Sequence, residues 1–300
     1  MLLAAAPADD WRTLLHTERS SAGDLELGGE LAGIHPSDKD PSLVATGIQA
    51  GQTRYVSYED LLRLPQETYT IADDSNFQGK TEIGGVALST LAETFGATTD
   101  MLVAICNDQY QTHYPADYIT AHHPLLVLRI NGQDRDHWPT TSTGDSLGPF
   151  LISHPQFKPS FKVLSHEDEP QIPYGVVRID FRKTSEVFGA IQPSGKWETD
   201  SPIGMGYVIA RQDCFRCHNM GAEGGTMAQR TWRQLAAIAD KHPERFRAII
   251  RNPAAVAPGA KMPGQPGYDE ATLDALTAYF KTFAGSTANE GAGPTKDAKQ

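Results

Sequence analysis

The sequence predicts an α+β chain, a sheet-rich region followed by a small all-α domain. Three observations carry that reading. Strand-like runs separated by turn residues dominate residues 40–192, whereas helical spacing dominates 204–285. Residues 193–203, Pro-Ser-Gly-Lys-Trp-Glu-Thr-Asp-Ser-Pro-Ile, read as the linker between them. The charge balance changes sign at the same place: residues 1–200 carry 14 Lys and Arg against 28 Asp and Glu, and residues 201–285 carry 10 against 7.

The elements follow in order. Residues 1–39 form an N-terminal segment whose first eight residues, Met1 to Ala8, are small and apolar. They resemble the end of a secretory signal with its small-residue cleavage site, but without a basic leader; a frayed Ala-rich terminus is the other reading. Leu43 to Ile48 is strand-like. Ser57, with Asp60 three residues on, opens a helix before Leu61. Glu67 to Ile71 alternates with β-formers, and Gly84-Gly85 precedes a strand-to-helix step at Val86 to Leu91. Met101 to Cys106 and Leu125 to Ile130 are compact apolar runs, hence buried strands, the second closed by the hairpin signal Asn131-Gly132. Tyr174 to Phe181 is one more strand. Beyond the linker, Thr231–Ala239, Pro243–Arg251 and Glu270–Phe283 have helical spacing, and four prolines mark 253–267 as loop. Residues 286–300 are small and polar and read as a disordered tail.

Composition excludes several functions. The net charge of −11 argues against a nucleic-acid partner, because phosphate binding needs a basic surface. Three Cys are too few for a disulfide scaffold in a chain of 300 residues. No stretch approaches the ~20 apolar residues of a membrane span.

The chemistry lies in Cys214-Phe215-Arg216-Cys217-His218. This C-x-x-C-H spacing is that of c-type haem attachment. Two thiols three positions apart on a helical turn each reach a haem vinyl group, and the adjacent His meets the iron from the same side. A C-x-x-C redox or zinc pair is the competing reading, but zinc needs two further ligands and the remaining Cys106 lies far upstream. A six-coordinate iron takes a second axial ligand, commonly Met. Met205, Met220, Met227 and Met262 are available. Met220 and Met227 follow His218 too closely to cross to the opposite ring face. Met262, held between Pro258 and Pro263, is the preferred ligand, and His242, just before Pro243, is its rival.

With these residues in place, 204–285 resembles a class I cytochrome c domain: the CxxCH helix, the Lys261-Met262-Pro263-Gly264 loop, the Asn252-Pro253 turn and an aromatic C-terminal helix. The resemblance implies one haem c, covalently held by Cys214 and Cys217 and ligated by His218 and Met262. It also implies that the last helix crosses the first at a small residue, here Gly204 or Gly206 with Tyr207, against Tyr279 and Phe280.

Residues 40–192 resemble the oxidoreductase molybdopterin-binding domain of sulfite-oxidase fold. Gly85-Val86-Ala87-Leu88-Ser89-Thr90-Leu91 is similar to its G-V-x-L-x-x-L, and Asn107-Asp108-Gln109-Tyr110 to its S-x-D-G-Y. That family binds molybdenum through a Cys ahead of the first motif. Thr68 to Gly84 contains no Cys, and Lys80 is its one basic residue. Molybdopterin is therefore not expected, and Cys106, ending an apolar run, reads as a buried thiol. His113, His122, His123, His137 and His154 share this region; a metal site would need three to converge, and the adjacent His122 and His123 on a strand would face opposite ways. Trp138 and Tyr110 read as core aromatics.

The expectation is an exported, periplasmic c-type cytochrome that transfers one electron at a time to redox protein partners. Its N-terminal domain serves as docking scaffold or complex subunit, no residue is assigned a catalytic role, and association with a membrane complex is left open. The alternative is a molybdenum-dependent, sulfite-dehydrogenase-like oxidoreductase passing electrons to its own haem; a haem sensor would want an open sixth position. The Lys241, Arg245, Arg247, Arg251 and Lys261 group reads either as a solvated face or as a basic rim for an acidic partner.

Overall fold

The computed structural model describes residues 11–32, 53–72, 76–77, 79–96, 99–141, 143–155 and 171–285. The chain divides into two compact units, and for the described residues the division falls between Gly189 and Ala190. The architecture is α+β, sheet-rich before the division and helical after it. The strand expected at 43–48, the terminal segment 1–8 and the tail 286–300 lie outside the described residues.

The first unit is built on strands β1 (Leu25–Gly29), β2 (Arg54–Val56), β3 (Glu67–Ile71), β4 (Thr81–Ala87), β5 (Met101–Cys106), β6 (Gln111–Pro115), β7 (Leu125–Ile130), β8 (Phe150–Ser153) and β9 (Tyr174–Arg182). Helices α1 (Tyr58–Leu61), α2 (Leu88–Phe95), α3 (Ala116–His122) and α4 (Thr184–Val187) punctuate them. The sheet order is β2-β1-β9-β8-β7-β4-β3, with β5 also paired to β9 and β6 to β5. β9 is the hub. One edge meets β8 at Tyr174 and Val176 and then β1, in parallel, from Arg178 to Phe181; the other edge runs along β5. β1 shows that the first unit starts well before residue 40, where the sequence reading began it.

β7 shows why its sequence reads as an unbroken apolar run. Leu126 and Leu128 enter the main core with Val86, Phe95, Phe150 and Phe181, while Leu125 and Val127 join a second core with Ile83, Leu147 and Leu151. Both faces are covered, so the period-2 alternation of a half-exposed strand disappears. Gly85 sits at a bulge where β4 meets β7, and a Cβ there would lie 2.9 Å from Val127 Cα. The strand-to-helix step comes at Ala87, inside the Val86 to Leu91 stretch that the sequence indicates, and Val86 and Ala87 still pair with Leu126 and Leu125.

Asn131-Gly132 does form a tight turn, with φ of 50° and 74°, but no hairpin follows. Ile130 pairs with Gln133 alone before the chain coils at Arg135–His137, and β7 finds its partner in β8 instead. His122 is the last residue of α3 rather than a strand residue, and His123 closes that helix with φ 48°.

The second unit contains α5 (Pro202–Ile209), α6 (Trp232–Lys241), α7 (Pro243–Arg251), α8 (Pro253–Val256) and α9 (Glu270–Lys281). α8 is a short helix inside the stretch expected to be loop. Residues 193–203 belong to this unit: the Trp197 ring lies 5.7 Å from Tyr207, and Tyr279 Oη donates to the Ile191 carbonyl at 2.6 Å. Where α5 crosses α9, the small residue is Gly206; a Cβ there would stand 2.7 Å from Tyr279 Cβ. Gly204 faces the Glu198 and Thr199 carbonyls instead. Trp232 is fully buried and gathers Phe215, Tyr279 and Phe280 at ring distances of 5.4, 6.1 and 4.8 Å.

Candidate haem site

The attachment turn is presented by α5. Ser201 caps that helix by accepting from Gly204 N at 3.2 Å, and Pro202 fills its first position, where a missing N–H costs nothing. The helix then widens into a π-type turn over Ala210–Cys214. Such turns interrupt the regular ladder and recur at functional sites. Cys217 N and His218 N both donate to the Cys214 carbonyl, at 3.2 and 2.9 Å, which winds Cys214, Cys217 and His218 onto one tight turn. Phe215, the residue between the thiols that points inward, is fully buried edge-on against Trp232 and so anchors the turn in the aromatic core.

His218 is 8% exposed, and its Nδ1 lies 2.7 Å from the Arg230 carbonyl. A carbonyl only accepts, so Nδ1 carries the hydrogen and Nε2 keeps its lone pair, the tautomer a metal ligand needs. Burial pushes the His218 pKa below the ordinary value, which keeps the ring neutral and able to ligate. Burial, assisted by Asp213 and Cys217, pushes the Cys214 thiol well above the usual cysteine range. A redox-active C-x-x-C pair needs the opposite shift. The two thiols are not joined to each other. Among the described residues no group of three or more His, Cys, Asp or Glu side chains is placed to hold a metal, so a zinc site at this turn lacks its ligand set. The donor set fits covalent haem: two thiols outside any disulfide and one neutral imidazole whose Nδ1 is held by a carbonyl.

The chain after His218 folds back on the turn. Gly225 N donates to the Phe215 carbonyl and Ala228 N to that of Cys217, at 2.9 and 3.0 Å. This return brings Met227, 47% exposed, to the turn, its sulfur 3.8 Å from Cys217 Sγ. Met262, 36% exposed, stands on the connection from α8 to α9. That connection is tied down on either side of Gly267: Gln265 N donates to the Ile250 carbonyl at 2.8 Å, and the buried Tyr268 donates from Oη to Asp213 at 2.6 Å, one residue before Cys214. His242 lies exposed between α6 and α7, at the helix start where its sequence placed it.

Sequence reasoning missed the Arg230 carbonyl and the Tyr268–Asp213 bond. A backbone acceptor leaves no residue-type signal, and Tyr268 lies 55 positions from its partner. The basic group is also corrected in part. Arg247 is paired with Glu270 and Asp274 across the α7–α9 contact, and Arg251 with Glu270, so these two arginines brace helices. Lys241, Arg245 and Lys261 remain exposed.

In the first unit, Cys106 is 2% exposed at the end of β5, inside the main core. Tyr110 packs on that core and Trp138 on the second one. His113 is buried against the Phe188 ring at 5.6 Å. His123 and His137 are exposed, whereas His122 and His154 approach each other with ring centroids 6.2 Å apart.

Residues 203–280 match the family model described as cytochrome C oxidase, cbb3-type, subunit III. The C-terminal unit therefore contains a cytochrome c domain. Among solved structures, the chain is similar to the sulfane dehydrogenase SoxCD from Paracoccus pantotrophus, with 18% identity and a TM-score of 0.32 over 55% of this chain and 40% of that one. No curated protein matches the chain. No helix among the described residues is long and apolar enough to cross a membrane.

Proposed function

We propose that the chain is an exported c-type cytochrome that carries single electrons between protein partners, with its haem held covalently by Cys214 and Cys217 and its iron ligated by His218 and Met262. The observation that carries this reading is His218: buried, neutral and oriented by the Arg230 carbonyl so that Nε2 is available, one residue beyond the second thiol. Bound haem would supply reversible one-electron chemistry at iron, and His/Met ligation favours the ferrous state. The Phe215–Trp232 pair would back that group, and the Arg230 carbonyl would orient its His218 ligand. Met262 is preferred over Met227 because the latter follows His218 by nine residues and lies against Cys217 Sγ on the attachment side. Thioether formation at CxxCH takes place outside the cytoplasm, which makes the periplasm the proposed compartment.

The first unit is proposed as a docking scaffold of sulfite-oxidase type without molybdopterin. Thr68 to Gly84 offers no thiol, and Cys106 is enclosed by apolar side chains rather than presented to a metal. Full-length protein produced with haem maturation tests both parts. A denaturing gel stained for haem peroxidase activity should show a band at full length, absent in the double variant Cys214→Ala, Cys217→Ala. Haem lost on denaturation would defeat covalent attachment. Metal analysis should give iron near one equivalent, and stoichiometric molybdenum would overturn the scaffold reading.

A further inference from the structure

We propose that Tyr118, His122 and His154, in the first unit, form a binding site for a divalent transition-metal ion, with Cu(II) the best match to the donors. The sequence gives no hint of it, because the three residues come from two elements and one of them is a tyrosine. Among the described residues no three His, Cys, Asp or Glu converge, so the site exists only with the phenol as third donor.

The fold assembles it in two steps. α3 places Tyr118 and His122 four positions apart on one helix face, with ring centroids 4.5 Å apart. β8 then ends at Ser153 and delivers His154 against that face, its ring 5.5 Å from Tyr118 and 6.2 Å from His122. Tyr118 Oη and His154 Nε2 are 2.9 Å apart. Gln171 N donates to the same Oη at 2.9 Å. The phenol oxygen thus accepts one hydrogen bond from the backbone and shares a second with His154 Nε2.

Two features make this pair compatible with a bound ion. Oxygen and nitrogen donors sit about 2.0–2.2 Å from a bound divalent ion. Two such donors at right angles on one ion are about 2.9 Å apart, the separation already present between Oη and Nε2. A metal ion can therefore take the place of the hydrogen shared by Oη and Nε2 with little movement of either ligand, releasing one proton, and the Gln171 N–H would stabilise the resulting phenolate. Second, the donors are fixed yet reachable. His154 is 3% exposed and held by its bond to Tyr118. Tyr118 and His122 are half-buried, which leaves an approach for the ion and for the water that completes its shell. Mixed imidazole and oxygen donors in a tetragonal arrangement favour Cu(II), which also heads the affinity order of the first-row divalent ions.

The test uses the full-length, haem-loaded protein, stripped with chelator and titrated with Cu(II) by calorimetry, with electron paramagnetic resonance on the product. The expected result is one tight equivalent, a signal coupled to two nitrogens, and about one proton released. Tyr118→Phe should weaken binding by at least tenfold and abolish the proton release. His154→Gln should weaken it further and leave one coupled nitrogen. His122→Gln, at a half-exposed position tolerant of substitution, gives a third reading should His154→Gln fail to fold. His137→Gln should change nothing. No stoichiometric binding, or binding that Tyr118→Phe and His122→Gln leave unaltered, overturns the proposal.

Discussion

Replacing Gly206 with Ala tests whether the closeness of α5 and α9 sets the stability of the cytochrome c domain. An added Cβ would lie 2.6 Å from the Ala275 carbonyl carbon and 2.7 Å from Tyr279 Cβ, where ordinary contact begins near 3.4 Å. The helices must therefore separate by roughly 0.8 Å or more, since the Ala275 carbonyl oxygen stands closer still and no obstacle is the end of a flexible side chain. That separation loosens Tyr279 and Phe280, both fully buried. Overpacking of this kind costs about 1–3 kcal/mol, and rigid partners put Gly206→Ala near 3. The better helix propensity of Ala returns about 1 kcal/mol. The net loss of about 2 kcal/mol corresponds to a melting temperature lower by about 8–16 °C for a domain of this size. Thermal unfolding followed at the haem band and by circular dichroism reads it. Gly267→Ala is the control, because no atom lies within 4 Å of a Cβ there and its backbone is ordinary. It should be neutral or slightly stabilising. Equal melting temperatures for Gly206→Ala and Gly267→Ala would refute the close-crossing argument.

Three further outcomes are expected. Met262→Ala should abolish the weak red absorption band of iron–sulfur ligation while haem stays attached, and Met227→Ala should keep it; survival of the band in Met262→Ala would name another ligand. Tyr268→Phe removes the bond to Asp213 and should destabilise the domain by about 1–2 kcal/mol, as expected for a partly buried bond to a carboxylate, with loss of the same red band at lower denaturant; an unchanged melt would remove this tie. The Glu270 carboxyl is held below its ordinary value of about 4.5, chiefly by its bond to Arg251, which outweighs the opposing effect of burial, with Arg247 adding a lesser part. A depressed carboxylate stabilises fully above its unfolded value, and the stabilisation disappears as pH falls through the folded one. The melting difference between wild type and Glu270→Gln should accordingly shrink below about pH 4.5, and a difference independent of pH would contradict the pairing.

The attachment site was legible in sequence because its chemistry is local. Five consecutive residues bring two thiols and an imidazole onto one turn, and no distant contact is needed to recognise them. Helices α6, α7 and α9 of the second unit were legible for a similar reason: Thr231 and Gln234 form a reciprocal capping box, and Pro243 starts α7, whereas α8 was hidden among prolines. The first unit was less so. β1 is Leu-Glu-Leu-Gly-Gly, a weak strand by propensity, and it is a strand because β9 and β2 pair with it. Asn131-Gly132 carries the right turn chemistry, yet the partner of β7 is chosen by burial of both its faces and not by the turn. Arg247 and Arg251 looked like a charged surface because their carboxylates sit on another helix, some twenty positions away.

The central place of β9 has a consequence for how the chain is made. β1 and β9 pair in parallel across 152 positions, from Glu26 to Arg178. Until residues 174–182 have emerged, β1, β5 and β8 lack the strand that joins them, and three hydrogen-bonding edges stand open. Pairings this remote form slowly, because the loop must close before any contact rewards it. The first unit thus completes itself only when nearly all of it has been synthesised, immediately before the haem-carrying segment. A nascent chain stalled ahead of Tyr174 would be left without its keystone and prone to self-association, whereas the short-range helices that follow need wait for nothing upstream.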